Sequence, residues 1–465
     1  MSLKFYNTFT RSLEEFKSIK PGKAKLYTCG PTVYNYAHIG NFRAYMFEDL
    51  LRRTLKYCGY QVNQVMNLTD VDDKTIRDSQ VNSLPLDEFT AKYKASFFED
   101  LKVLNIEAAE VYPAATDHID EMIDLVQTLI DKGFAYQADD NCVYFSIDKF
   151  PDYGKLARIN LEGQRSGVRI SNDEYAKDNV ADFALWKAWT AADGDVKWTS
   201  PWGDGRPGWH IECSAMAMKY LGKTFDLHTG GIDNMFPHHE DEIAQSECAN
   251  GKKYVNYWLH CAHLIVNGEK MSKSTGNFFT LRELIDKGYT GRDMRYVLLG
   301  THYRQKLNFT FESIDGAKSA LGRIDELVTK LKLITKEGSV SESVTTKIEA
   351  MKLGFKSGIE NDLTLSTSLA SLFELVREMN KTILELNQAD ANTILDAFRN
   401  IDQVLGCLEI DQEEAIPDEV LKLGEDRLIA RAEKDWAKSD HLRDQITALG
   451  YSVKDSVQGS QFTKN

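Results

Sequence analysis

No run of eighteen apolar residues occurs in this chain of 465 residues, so no membrane-spanning helix is expected. No CxxC pair occurs either. The seven cysteines, Cys29, Cys58, Cys142, Cys213, Cys248, Cys261 and Cys407, are odd in number and far apart. That spacing excludes a tight zinc knuckle and argues against a disulfide framework, which leaves a reducing cytoplasm as the expected setting. The opening residues Met1 to Asn7 hold no apolar h-region, so no secretory signal is expected. Positive charge is scarce: the net charge is −14. The surface as a whole repels nucleic acid, so an RNA partner must be held by local basic patches and specific contacts. Internal repeats and extended low-complexity tracts are absent.

What is present is long enough for two to four domains. Lys25 to Cys29 reads as a strand, broken by Gly30-Pro31. A helix follows from about Asn41 to Tyr57, with Ala44, Phe47, Leu51 and Leu55 on one face. Gln61 to Leu68 returns as a strand. This order makes a parallel βαβ unit, with ligands expected at the strands' carboxyl ends. Residues from about 110 to 205 mix short strand-like pieces with polar loops and read as an insertion. The parallel sheet resumes near Trp209 and Phe225 to His228, and Leu259 to Val266 is a further strand candidate.

Helices dominate after about residue 310. One apolar stripe is Ile314, Ala317, Leu321, Ile324, Val328 and Leu331; another is Leu365, Leu369, Leu372, Val376, Met379, Ile383 and Leu386. An antiparallel bundle over 311–410 is the simplest arrangement. Acidic Glu409 to Pro417 reads as a linker. A small module over 418–465 follows, with one helix through Ile429 to Leu449 ended by Gly450. The expected fold is α/β: a Rossmann-like parallel-sheet domain over 1–310 with an insertion, then the bundle, then the module.

Two short strings carry chemistry. His38-Ile39-Gly40-Asn41 follows a strand and opens a helix, where backbone N–H groups and the imidazole can face phosphates. Asn41 serves equally well as a plain N-cap. Lys270-Met271-Ser272-Lys273-Ser274 sits between Gly268 and Gly276, a mobile polar loop able to clamp a leaving pyrophosphate. Gly230-Gly231-Ile232-Asp233 suits close approach of a base or ribose, with a tight turn as equal competitor. His238 and Glu242 share a face of any helix that begins after Pro237. With Cys29 and Cys213 they would make a zinc-type donor set, although spacing alone does not bring them together.

In this order and at this separation, the first two strings resemble the signature motifs of class I aminoacyl-tRNA synthetases. The fuller pattern resembles the cysteinyl-tRNA synthetase family over nearly the whole length. It rests on Tyr27 to Tyr34, His38 to Asn41, Asn67 to Lys74, Ser200 to Gly203 leading into Gly208 to Met216, Phe236 to Ser246, and the Lys270–Ser274 loop.

That resemblance implies one Zn²⁺ on Cys29, Cys213, His238 and Glu242, with His239 the lesser candidate. It implies an amino-acid pocket of Cys29, Thr69, Trp209 and His228. ATP, with Mg²⁺ on its phosphates, would be held by His38, Gly40, Asn41, Gly230, Gly231, Asp233, Lys270, Ser272 and Lys273. His38, Asn41, Lys270 and Lys273 would stabilise charge during cysteine activation. Zinc takes a thiolate readily and a serine hydroxyl reluctantly. Loss of a metal–sulfur bond outweighs the ~1–3 kcal/mol that a missing methylene supplies, so no editing domain is required. The expected partners are L-cysteine, ATP and tRNA(Cys), with the chain a cytoplasmic monomer and Trp436, Arg443 and Phe462 touching the tRNA.

The carboxyl-terminal end departs from the family. Gly459 to Asn465 stands where the family usually has Gly-Thr-x-Trp and a basic tail, and Asp362-Leu363-Thr364 replaces an Asp-x-Asn-Thr-Pro-like string. A rival reading is a ligase that joins activated cysteine to a small amino sugar; Trp436 and its surroundings speak against it. A non-catalytic RNA binder has no use for Lys270 and Lys273. Lys273→Ala is expected to abolish cysteine-dependent ATP–pyrophosphate exchange, and unchanged exchange would sink the clamp assignment.

Overall fold

The computed structural model describes residues 2–159, 169–170, 181–272, 276–411, 417–456 and 459–464. The chain forms two compact units, Met1–Leu408 and Glu409–Asn465. Among the described residues, no helix is long and apolar enough to cross a membrane.

The larger unit is built on a four-stranded parallel sheet. Its strands are β1 (Lys23–Thr28), β2 (Gln61–Met66), β3 (Phe225–Gly231) and β4 (Val255–Cys261), in the order β4–β3–β1–β2. Leu227 pairs with Leu26 and Tyr27 with Val65. The strand order reverses between β1 and β3, which is where an open parallel sheet leaves a ligand crevice at its carboxyl end. Helix α1 (Ile39–Tyr57) links β1 to β2. Trp209, expected near a resumed strand, instead opens helix α2 (Trp209–Leu221). Helix α3 (His238–Asn250) begins directly after Pro237. The single strand expected over Leu259 to Val266 is two: β4 ends at Cys261, Ala262 N–H donates to Tyr303 O at 2.8 Å, and Leu264–Val266 joins a separate sheet.

The insertion carries its own antiparallel sheet, with Ala135–Gln137, Val143–Phe145, Asp182–Ala188, Gly203–Pro207 and Trp198–Ser200 in that spatial order. It is fastened to α3 by Glu240, whose carboxylate accepts from Gly154 N–H at 2.7 Å and Ala157 N–H at 2.8 Å.

Helix α4 (Gly291–Leu299) precedes four bundle helices: α5 (Phe311–Lys332), α6 (Glu342–Glu360), α7 (Leu365–Lys381) and α8 (Gln388–Leu405). Helix α7 stops before Ile383 and Leu386. Helix α6 buries a stripe of Val344, Ile348, Met351, Phe355 and Ile359. The bundle is tied to α1 through ions rather than apolar area alone. Arg295 of α4 is fully buried. It reaches Asp49 of α1 at 2.6 Å and the carbonyls of Leu405 at 2.5 Å, Leu104 at 3.0 Å and Asn105 at 2.8 Å.

The smaller unit corrects the expectation of one helix through Ile429 to Leu449. There are two, α9 (Asp418–Ala432) and α10 (Trp436–Ala448), followed by the hairpin β5 (Tyr451–Ser456) and β6 (Gly459–Lys464). The break has a local cause. Lys434 takes φ +62°, which no helix continues through, and Asp435 caps α10 by accepting from Lys438 N–H at 3.1 Å.

Replacing Arg295 by methionine would strip a donor from three carbonyls and leave Asp49, among the described residues, Arg53 as its ion-pair partner. The expected cost is about 3–5 kcal/mol, read as a lowered midpoint in chemical denaturation.

Candidate active site and metal centre

A cleft of about 710 Å³ opens at the carboxyl end of the sheet. Cys29, Gly40, His38, Asn41, Trp209, Gly231, Asp233, His238, Lys270 and Met271 all line it. His38 rather than Asn41 is the N-cap of α1. Its Nδ1 accepts from Gly40 N–H at 3.1 Å and Asn41 N–H at 3.3 Å, and Asn41 Oδ1 accepts from His38 N–H at 3.0 Å. Two donors on Nδ1 leave the ring proton on Nε2, a donor suited to an anion at a helix N-terminus.

The lysine loop reaches the same place. His38 bridges to Thr280, Ile39 N–H donates to Phe279 O at 3.0 Å, and the Phe278 ring sits edge-on to His38. A Cβ on Gly40 would stand 2.6 Å from Met271 Cε, so glycine lets the two strings close on one another. Ser272 is held by Asn277, whose Oδ1 accepts its N–H at 2.8 Å. Lys273 lies outside the described residues.

The metal-type donors stand at the inner end. Cys29 follows β1, Cys213 is on α2, and His238 and Glu242 sit one turn apart on α3. One ligand atom from each lies within 4.8 Å of the others, and all four residues are buried. A second set, Cys29, His228, His239 and Glu242, meets the same limit. The two differ in their contacts. His239 already uses both ring nitrogens, Nε2 against Cys29 Sγ at 3.3 Å and Nδ1 against His260 Nε2 at 2.8 Å. His228 Nε2 lies 3.0 Å from Glu242 Oε2, which Tyr254 OH also reaches at 3.2 Å. Glu242 Oε1 has no hydrogen-bond partner among the described residues and faces His238 Nε2 at 3.1 Å. An orphaned carboxylate oxygen, a neutral imidazole and two thiols fit a zinc-type ion, and the set with two sulfurs fits it better.

The electrostatics agree. The adjacent Cys213 thiol, with burial next, pushes Cys29 well above the ordinary thiol range. Burial pulls His238 down to about 3, so its ring is neutral. A divalent cation would reverse the balance at the thiols.

Other expected residues are placed less directly. Trp209 stacks on His238, centroids 4.4 Å apart. Thr69 and His228 are buried behind the cleft wall rather than on it. Thr69 Oγ1 donates to Glu212 Oε2 at 3.0 Å, and burial raises the Glu212 carboxyl well above its ordinary range. Gly230 is packed against Asn234 and His239. In the smaller unit, Trp436 is 56% exposed, with Arg431 over its ring, and Arg443 pairs with Asp440 at 3.3 Å. Phe462 packs toward Val420, Ile446 and Tyr451, and a Cβ on Gly424 would stand 2.1 Å from its ring. Lys74 and Lys306, which carried no expected role, also line the cleft.

A parallel-sheet crevice with these two strings facing one another defines a class I aminoacyl-tRNA synthetase. Residues 15–319 match the catalytic domain of tRNA synthetases class I (C), and residues 413–462 match the cysteinyl-tRNA ligase anticodon binding domain. A methionyl-tRNA synthetase of Mycobacterium tuberculosis solved with methionyl-adenylate shares the fold, with a TM-score of 0.62 at 14% identity over 83% of this chain and 92% of that one. The cysteine–tRNA ligase of Protochlamydia amoebophila is 49% identical over 99% of this chain and 98% of its own length; that of Brachyspira hyodysenteriae is 50% identical over 99% of each. The chain belongs to the cysteine–tRNA ligase family. The amino-sugar ligase reading draws no support from these matches.

The double use of His38 gives a separable prediction. His38→Ala should cost about 1 kcal/mol through the lost cap, whereas His38→Asn keeps a good cap. Both should lower ATP–pyrophosphate exchange by about 10²–10³-fold. Full exchange in a stable His38→Asn variant would leave the imidazole a cap alone.

Proposed function

We infer that this chain joins L-cysteine to tRNA(Cys) in two steps. The cysteine carboxylate attacks the α-phosphorus of ATP, the bond to pyrophosphate breaks, and cysteinyl-adenylate forms. A hydroxyl of the terminal tRNA ribose then attacks the adenylate carbonyl and AMP leaves. The observation that carries this reading is the meeting, at the inner end of one cleft, of a sulfur-rich donor set with the two nucleotide strings.

His38 Nε2–H, Asn41, Lys270 and Lys273 would hold phosphate charge, with Mg²⁺ on the ATP oxygens. Gly40, Gly230, Gly231, Asp233 and Ser272 would complete the nucleotide site. Cys29, Cys213, His238 and Glu242 would hold one zinc ion. When bound, zinc supplies a borderline-soft Lewis acid that favours a thiolate over a hydroxyl. Trp209 would close the amino-acid pocket from its stack on His238. Thr69 and His228 would act from behind, Thr69 by orienting Glu212 and His228 by holding Glu242 Oε2.

The bundle helices over 311–410 would carry the tRNA stem, and the module over 418–465 the anticodon. Exposed Trp436 and Arg443 are the better candidates for tRNA contact; Phe462 would support the module's core. Seven free cysteines favour a reducing cytoplasm, and a monomer is the simplest assembly.

Two measurements test this. With labelled amino acid, ATP, Mg²⁺ and total tRNA, charging is expected with cysteine and not with serine; equal charging would remove the metal-selection argument. Cys213→Ser should lower bound zinc from about one per chain to a small fraction by atomic emission. Full zinc content in that variant would exclude Cys213 from the site.

A further inference from the structure

The cleft has two sides, and beyond His38 to Asn41 the nucleotide residues come from one of them. Gly231 ends β3, Asp233 follows it, and the lysine loop comes after β4. The opposite side is built from the segments that follow β1 and β2 and from the helix Leu86–Val103. It presents three half-buried tyrosines to the cleft, Tyr34, Tyr36 and Tyr93.

Each of these rings has a cation against it. Lys74 Nζ lies 5.8 Å from the Tyr34 centroid. Lys92 Nζ lies 5.4 Å from the centroids of both Tyr36 and Tyr93. The Arg282 guanidinium lies 5.3 Å from that of Tyr36. Tyr36 and Tyr93 meet edge to face, 5.3 Å apart. Arg282 is already committed, to Ser96 Oγ at 2.5 Å, Glu99 at 3.0 Å and Asp100 at 3.3 Å. Lys92 is different: it is exposed and makes no ion pair among the described residues. Its flexible stem can carry the charge from the rings to an anion.

The wall is seated at both ends. Lys94, beside Tyr93, pairs at 2.5 Å with buried Asp70, which also accepts the Thr116 N–H at 2.9 Å. Arg282, on the helix after the lysine loop, grips the next turn through Ser96. Tyr93 thus stands between the Thr69–Asp70 loop and the lysine-loop helix. In a chain of net charge −14, a cleft wall of tyrosines with cations against them is a local exception of the kind an RNA partner needs. Unpaired RNA ends are held by rings that stack on bases and by cations that meet the backbone.

We propose that Tyr36, Tyr93 and Lys92 form the track by which the unpaired 3′ end of the tRNA enters the cleft, with bases against the two rings and Lys92 on the backbone phosphate. The proposal rests on the synthetase reading above and deepens it. It brings the attacking ribose to the adenylate from the side that the nucleotide residues leave open.

The test is a titration of the full chain with tRNA(Cys), intact or shortened at its 3′ end. Wild type is expected to bind the intact RNA about 10–100-fold more tightly. Tyr93→Ala should lose most of that gap by weakening the intact RNA alone, and Tyr93→Phe, which keeps the ring, should preserve it. Lys92→Ala, at an exposed position, should narrow the gap and make the salt dependence of intact-RNA binding shallower by about 0.7 in log–log slope. Equal weakening of both RNAs, a gap undiminished in Tyr93→Ala and Lys92→Ala, or no gap in wild type would overturn the proposal. Cysteine-dependent ATP–pyrophosphate exchange, run on the same proteins, separates the two readings. Its loss in Tyr93→Ala with the RNA gap intact would place that ring in activation and overturn the track. Its absence in wild type would remove the synthetase reading itself, and this one with it.

Discussion

Two thiols, a carboxylate and several imidazoles are buried against one another at the end of a parallel sheet. Such a group is costly as it stands: Glu242 Oε1 is buried with no hydrogen-bond partner among the described residues, and burial leaves the His238 ring neutral. A divalent cation on this donor set would satisfy that oxygen and favour the thiolate forms. The surroundings serve the arrangement. The parallel pairing of β1 with β3 sets Cys29 beside Thr229, whose carbonyl accepts the Cys29 N–H at 3.3 Å. Pro237 starts α3 where His238 and Glu242 point to one side, and Glu240 on the same helix accepts from the Gly154 N–H of the insertion.

The nucleotide end of the cleft depends on a different economy. His38 both closes the first turn of α1 and is left with a donor proton on Nε2. Met271 fits over Gly40 because no Cβ stands there. Stability of the helix start and approach of the lysine loop are thus joined at three consecutive residues. Arg295 and Asp49 then fasten the middle of α1 to the end of α8, so the helix that bears His38 is rigidly seated in the larger unit.

Much of this was legible in sequence. The βαβ start, the helix after Pro237 and the two strings follow from apolar periodicity and from the turn chemistry of glycine and proline. Local spacing delivered His238 with Glu242. It could not deliver Cys29 with Cys213, because that meeting depends on strand order. Spacing also could not separate His238 from His239; both belong to donor sets of equal closeness, and they differ in the contacts of His239 to His260 and Cys29. The split of the last helix at Lys434 escaped notice because a positive φ at lysine has no compositional signal. Phe462 read as an exposed stacking ring until its place opposite Gly424 gave it a packing role.

The central claim is that the buried donor set holds a metal which takes the sulfur of the substrate. The most direct test is optical. Cobalt(II) substituted into the full chain should show thiolate-to-metal charge-transfer absorption from Cys29 and Cys213, and L-cysteine should increase it as a third sulfur joins. L-serine should leave the spectrum unchanged. An equal response to both amino acids, or none to cysteine, would contradict the account.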